Sequence, residues 1–476
     1  MSRPATEYLS ELRHLGQTGQ WAYDRIIALT IENTQLRQQL QEKEAKLQES
    51  QAALQRADEQ LELWQRQAYR QAAPFRRSEQ ERNPNPGRPG RKPGHSGAYR
   101  SKPDHIDDHA HVPLEGCPHC HGPLQDKRQV LQYIEELPVV RPHVTELITE
   151  EGWCPHCGKD VYSTHPLQTS RADGAARVQL GPRALGLAVD LNKAKGLSMR
   201  KTVAVLQEHF GLKLTPGGLA LAVQRAGRRL APEYEKLPVL LRNGPLIHAD
   251  ETSWWVGGPG WWLWVFATDR LTYYVVIQSR GAAVALALLG QSYAGTLVSD
   301  CLGIYDDLNP SQQKCYSHHL KAISEACQLH PEHGEGYLLQ VQALLRTAIL
   351  LKALQESADP ARFGLCVHQL KERAEALLTP PRSQAQEEKV RLRLWKQRDH
   401  LFTFLQRPEV PATNNLAERQ LRPAVIARKV SCGNKTPKGA QAWACLTSLA
   451  ATCRQAGQSF VAFVAQRVLL QPIRGP

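Results

Sequence analysis

Leu246-Ile247-His248-Ala249-Asp250 opens the stretch whose reading decides the fold, a short apolar run that ends on a carboxylate. Three β-rich runs follow it: Thr252 to Val256, Trp261 to Ala267 and Leu271 to Ile277. Gly257-Gly258-Pro259-Gly260 and Thr268-Asp269-Arg270 separate them, and aromatic or β-branched runs between such turns signal hairpins. Gly281 to Leu289 is rich in Ala and Leu and predicts a helix. Gly295-Thr296-Leu297-Val298-Ser299-Asp300 then predicts a buried strand, again ending in an acid. A meander, a crossover helix and a further strand suit a ribonuclease-H-like core. In that layout neighbouring strands bring Asp250 and Asp300 to one edge of a sheet.

At 476 residues the chain is too long for one ordinary core, so a multidomain α/β protein is expected. A net charge of +13 and a pI near 9.2 favour a polyanionic partner, nucleic acid or an anionic membrane surface. No apolar run approaches the ~20 residues that span a bilayer, and no signal peptide is visible, so no membrane partner is expected. Eleven cysteines, four of them in two CxxC pairs, read as reduced cytosolic thiols with one metal site.

Working outward from the core, residues 1–70 predict a long coiled-coil helix. Ile26, Asn33, Leu40, Leu47, Leu54 and Leu61 recur every seven positions, with Leu29, Leu36 and Trp64 among the companion positions. Self-association through that seam is expected; the alternative is one amphipathic helix folded on its own chain. Residues 71–110 form a basic Pro/Gly-rich linker in which Arg88, Arg91 and Lys92 either track DNA phosphates or simply solvate a tether. Residues 111–168 carry Cys117-Pro118-His119-Cys120 and Cys154-Pro155-His156-Cys157. Cys117, Cys120, Cys154 and Cys157 make a saturated tetrahedral set, the pattern of a zinc ribbon with one structural Zn²⁺. Because four cysteines saturate the site, His119, His121 and His156 read as bystanders; ordinary buried cysteines are the alternative.

Residues 169–240 predict a helical, helix-turn-helix-like region. Thr215 caps and Pro216 opens its second helix, which carries Arg225, Arg228 and Arg229 toward DNA; many helical hairpins look the same. Residues 241–312 hold the first part of the core, 313–407 a helical insertion, and 408–476 the last part with C-terminal helices. There Thr413-Asn414-Asn415-Leu416-Ala417-Glu418-Arg419 places Asn415 as helix cap and Glu418 at the third helical position. Spacing alone explains Glu418 as a capping-box residue, with Arg422 one turn on as its ion-pair partner.

These residues together resemble the IS66 family of bacterial transposases. His248-Ala249-Asp250-Glu251-Thr252, Val298-Ser299-Asp300 with Tyr305 following, and Asn414-Asn415-x-Ala417-Glu418-Arg419-x-x-Arg422-Pro423 carry the resemblance. Gly94-His95-x-Gly97, the paired CxxC and Arg428-Lys429 also match, so the likeness runs from Arg88 to Gly457. One departure stands out: the family's Cys-x-x-His followed by Arg appears here as Cys315-Tyr316-Ser317-His318 followed by Lys321.

The resemblance implies a DDE transposase that cleaves and transfers DNA strands at the ends of an insertion element. Its catalytic acids would be Asp250, Asp300 and Glu418, holding two Mg²⁺ ions for which Mn²⁺ can substitute. Such ions sit roughly 3.5–4 Å apart, so the three carboxylates should converge. Arg419, Arg422, Arg428 and Lys429 would hold DNA phosphates or balance local acids. Double-stranded DNA at element ends and target, a homo-oligomer, accessory proteins of the same element, and the bacterial cytoplasm complete the expectation. Two alternatives remain: a zinc-ribbon DNA-binding regulator without catalysis, and a nuclease that cuts without joining. Among the other acids, strand alternation turns Glu251 away from Asp250 and marks it as structural. Likewise His248 reads as a packed strand histidine, and Asp306 and Asp307 as helix caps.

Overall fold

The computed structural model describes Gly94, Ser96 and residues 100–170, 178–306, 308, 311–329 and 334–469. The heptad seam, Arg88, Arg91, Lys92 and Asp307 lie outside the described residues. The described residues group into two units, one ending at His143 and one starting at Val144.

In the first unit the Cys117–Cys120 turn closes on itself. His121 N donates to Cys117 O at 2.8 Å and Cys117 N to Gly122 O at 3.0 Å. In the second unit β1 (Glu151–Cys154) and β2 (Lys159–Tyr162) form an antiparallel hairpin whose turn is the other CxxC. Gly158 ends that turn at φ +63°, a left-handed conformation favoured by glycine, and donates to Cys154 O at 2.9 Å.

A helical layer follows: α1 (Pro182–Val189), α2 (Met199–Phe210) and α3 (Pro216–Arg242). Thr215 accepts from Gly218 N at 3.1 Å and Pro216 opens the helix, as the sequence predicts. α3 spans 27 residues and buries a long stripe, Leu219 to Leu241, which makes it a core helix as well as half of a helical pair.

The sheet comes next. β3 (Leu246–Trp254), β4 (Trp261–Ala267), β5 (Thr272–Ile277), α4 (Ala282–Leu289), β6 (Thr296–Ser299) and β7 (Ser311–Lys314) follow in order. The spatial order is β5-β4-β3-β6-β7, antiparallel through the meander and parallel from β3 to β6 and β7. Two details differ from the sequence reading. The runs on either side of Glu251 are one continuous strand, so Asp250 lies within β3 rather than at its end. Ser311-Gln312-Gln313-Lys314 is a strand although nothing in it is apolar. Its glutamines are buried and bond internally: Gln312 Nε2 donates to Tyr305 O at 2.7 Å and Gln313 Oε1 accepts from Phe404 N at 2.9 Å. The insertion therefore starts with α5 (Tyr316–Leu329), after one more strand of the sheet.

The insertion continues through α6 (Leu339–Leu354), α7 (Pro360–Leu378), α8 (Ala385–Lys396) and α9 (Thr403–Gln406). Leu344, Leu345, Leu370, Leu378, Leu394 and Phe404 pack into its own core, which reaches the sheet at Val298. One helical run among the described residues, Gly336–Leu354, is long and apolar enough to cross a membrane. Val341, Leu344, Leu345, Ala348 and Leu351 of that run are buried in the insertion core.

The chain returns with α10 (Asn415–Ser431), α11 (Pro437–Gln455) and α12 (Phe460–Arg467). The sheet's two faces are thereby covered differently. Ile247, Ala249, Trp264, Phe266 and Leu297 meet α4 and Tyr305. Leu263, Val265 and Tyr274 meet Ala417 and Leu421 of α10 and Trp443 of α11. α11 also packs against α3, so close at Gly227 that a Cβ there would stand 2.9 Å from Ala442 Cβ.

Candidate active site

Strand register assembles the site. β3 and β6 run parallel with His248 opposite Val298, and two residues further along both strands come Asp250 and Asp300. β6 and β7 run parallel with Ser299 opposite Lys314, so the next pair is Asp300 and Cys315. Cys315 N donates to Ser299 O at 2.9 Å and continues that ladder. Side chains two apart on a strand share a face, and neighbouring strands lie about 4.8 Å apart. Asp250, Asp300 and Cys315 therefore form a row across three parallel strands, toward their carboxyl ends, where open α/β sheets place ligands.

The even-numbered side chains of β3 face α10. His248, buried, bonds through Nδ1 to Asn414 Oδ1 at 3.0 Å, and Asn414 Nδ2 donates to Ala249 O at 2.8 Å. Asn414 N also donates to Cys315 Sγ at 3.2 Å. One buried asparagine thus ties the start of α10 to β3 and to the end of β7. Burial holds the His248 pKa below its ordinary 6.5, against the opposing bond from Asn414, which keeps this ring neutral.

This changes the reading of Glu418. The helix cap is Asn414, not Asn415, and its side chain makes no capping bond because it is spent on His248 and Ala249. Glu418 is then the fourth helical residue, its amide donating to Asn414 O at 3.2 Å, and the capping box does not form. Its carboxylate is half-exposed and its ion-pair partner is His318 at 3.9 Å rather than Arg422.

The electrostatics of Asp250 show how the acids are grouped. Its pKa is pushed up to about 7, first by burial and then by the negative charges of Asp300 and Glu251; Glu418 adds a smaller push. The Glu251 amide, donating to Oδ1 at 2.8 Å, opposes the shift. Asp300 Oδ1 accepts from Leu302 N at 3.0 Å. Asp250 thus feels the negative charges of Asp300, Glu251 and Glu418 at a buried strand edge.

Glu251 is treated in the opposite way. It projects to the other face of the sheet, where Tyr305 donates to Oε2 at 2.7 Å and Arg280 donates to Oε1 at 3.1 and 3.2 Å. Arg280 also lies 4.3 Å over the Trp262 ring. The sequence reading of Glu251 as structural agrees with this arrangement. Asp306, expected as a cap, sits at the end of a single 3₁₀ turn and pairs with Lys314 at 3.0 Å and Lys396 at 3.1 Å.

The Cys315–His318 pair is what sequence reasoning left without a role. The thiol stands beside Asp300 and His318 beside Glu418, and the three ligand atoms of Cys315, His318 and Glu418 lie within 4.8 Å of one another. The only sequence signal for it is the Cys-x-x-His spacing.

The basic residues divide. Arg419 and Arg422 are exposed on α10. Arg428 is bound to β3, donating to Thr252 Oγ1 at 3.1 Å, to Ser253 Oγ at 2.9 Å and to Ser253 O. Lys429 is exposed and Arg225 half-buried; Arg228 is exposed, and Arg229 donates to Val468 O. At the two CxxC turns, the Cys117 pKa is lowered by the amides of Cys120 and His119, and that of Cys154 by Cys157 and the His156 amide. Amides aimed at a thiol favour thiolate, the form that binds metal.

Residues 177–442 match the family described as Transposase IS66 family, more than half of the chain, and the protein belongs to that family. A stretch of 81 residues is also 33% identical to the uncharacterized protein y4jO of Sinorhizobium fredii (strain NBRC 101917 / NGR234). That match covers 17% of this chain and 25% of the relative's length.

Proposed function

We propose that this chain is a transposase that cleaves DNA at the ends of an insertion element and transfers the freed strands, with Asp250, Asp300 and Glu418 as its catalytic acids. The observation that carries the proposal is the grouping itself: Asp250, within β3, has its pKa pushed up to about 7 first by burial and then by the charges of Asp300, Glu251 and, least, Glu418, beside the carboxyl ends of β6 and β7. Like charges gathered in a partly buried place call for a cation. Three carboxylates suit a hard divalent ion, Mg²⁺ or Mn²⁺. Asp250, Asp300 and Glu418 would hold such ions. When bound, the ions supply activation of the attacking oxygen and stabilisation of the leaving one.

The protein's own part is positional. Asn414 holds the start of α10, and hence Glu418, against β3. The strand order β5-β4-β3-β6-β7, with its one antiparallel meander, supports reading the sheet as ribonuclease-H-like, interrupted by the insertion after β7. Exposed Arg419 and Arg422 beside Glu418 suit DNA phosphates; Arg228 and the basic 71–110 segment would add a sequence-independent grip. The zinc assignment rests on the doubled CxxC motif and on the local shape of each turn. The heptads of residues 1–70 support self-association.

Replacing Asp250 by Ala tests the reading. Cleavage of a labelled element end in Mg²⁺ should vanish while binding of the same DNA, measured by mobility shift, persists. Persistent cleavage would sink the assignment of the acids. Cleavage by the unsubstituted protein without joining to a target would instead point to a nuclease, and binding without cleavage to a regulator.

A further inference from the structure

We infer that Cys315, His318 and Glu418 form a second metal site, one that takes a single thiophilic divalent ion of the Zn²⁺ class and shares Glu418 with the Mg²⁺ acids. Three donors of different softness meet here: a sulfur, an imidazole nitrogen and a carboxylate oxygen, all within 4.8 Å. Thiolate and imidazole select Zn²⁺ over Mg²⁺, whereas the Asp250–Asp300 pair offers oxygen alone. The edge of the sheet therefore carries a hard set and a soft set side by side, with Glu418 between them.

The geometry supports a real coordination shell. Cys315 is fixed at the end of β7 by its own amide bond to Ser299 and by the Asn414 amide on its sulfur. His318 sits three residues on, in the first turn of α5, a Cys-x-x-His spacing that brings both donors to one side. Its Nδ1 is buried and faces Glu418 Oε1 at 3.9 Å, beyond hydrogen-bond distance. Tetrahedral Zn²⁺ with bonds of ~2.0–2.3 Å spaces its ligands roughly 3.5 Å apart. His318 and Glu418 side chains are 40% and 44% exposed, so small rotations bring them to that spacing. Three protein ligands leave one position open, as in catalytic rather than structural zinc sites.

The site follows from these ligands whatever the reaction is. Its consequence rests on the transposase reading: an ion held by Cys315 and His318 draws Glu418 away from Asp250 and Asp300. Zn²⁺ should then oppose Mg²⁺.

The test uses the full chain, with all four CxxC cysteines intact, in buffered free Zn²⁺. Elemental analysis counts zinc per chain in the unsubstituted protein, Cys315→Ser and His318→Ala. Both variants should carry one zinc fewer, and after Co²⁺ substitution both should lose part of the metal-coupled absorption. Equal zinc in all three proteins overturns the site. Should Cys315→Ser fold poorly, His318→Ala, at a half-exposed position, decides alone. In cleavage assays, micromolar-range Zn²⁺ should suppress the Mg²⁺ reaction and excess Mg²⁺ should restore it. A bound zinc without suppression overturns the sharing of Glu418. If the chain cleaves nothing under any condition, the proposed function fails while the zinc count still decides the site.

Discussion

Asp250 and Glu251 are neighbours on one strand, yet the two faces of the sheet treat their carboxylates in opposite ways. On the α10 face, Asp250 looks toward Asp300 and Glu418, and each negative charge raises its pKa. Across the sheet, Glu251 is the more deeply buried of the two and receives three donated bonds, two from Arg280 and one from Tyr305. Burial still raises its pKa, but the Tyr305 and Arg280 bonds work against it. The difference teaches where to look for function: a buried acid met by cationic and hydroxyl donors is part of the framework, and one pressed by other acids is a candidate site for a cation.

The largest test of this contrast is a pair of substitutions. Asp250→Ala should lower DNA cleavage by roughly 10⁴-fold, the scale seen when a catalytic group acting as part of a unit is removed, with DNA affinity unchanged. Glu251→Gln should leave cleavage detectable but destabilise the fold, because Arg280 and Tyr305 lose a charged acceptor. About 1–3 kcal/mol is expected, read as a lower denaturant midpoint with the slope unchanged. If Glu251→Gln silenced cleavage at full stability, the two faces would not divide as described.

Asn414→Ala sharpens the comparison on the α10 face. Losing the bonds to His248 and Ala249 should cost on the order of 1–2 kcal/mol and loosen the placement of Glu418. The rate at saturating Mg²⁺ should fall by roughly ten- to a hundred-fold while DNA affinity holds; an unaltered rate would show that Glu418 needs no such anchor.

A pH dependence tests the same contrast. Folding raises the Asp250 pKa from 3.8 to about 7, so the folded chain binds this proton more tightly than the unfolded one. The resulting stabilisation is complete below 3.8 and disappears as pH rises through about 7. Without divalent metal, stability should therefore decline between about pH 4 and 7 and level off above that, and Asp250→Asn should flatten that decline. Mg²⁺ competes with the same proton, so its affinity should rise over that interval. A decline unaffected by Asp250→Asn would assign it to other groups.

Much of this site was legible in the sequence, for identifiable reasons. Strand alternation has a period of two, which alone set Asp250 and Glu251 on opposite faces and left Glu251 structural. Apolar runs ending in acids marked β3 and β6, and Thr215-Pro216 marked the start of α3. β7 stayed hidden because its buried glutamines are satisfied by partners as distant in sequence as Phe404, and hydropathy does not register such bonds. The helix start near Glu418 was placed one residue late, since Asn414 and Asn415 are equally good caps by type. Only the bonds to His248 and Ala249 distinguish them.

The sequence by itself determined which acids exist, which strands carry two of them, and which family the chain belongs to, because periodicity and motif spacing are local properties. The tertiary structure decided which carboxylate is left uncompensated and what stands beside Glu418. Charge, burial and hydrogen bonding depend on segments more than a hundred residues apart, and only the register of β3, β6 and β7 with α10 folded against them brings those segments together.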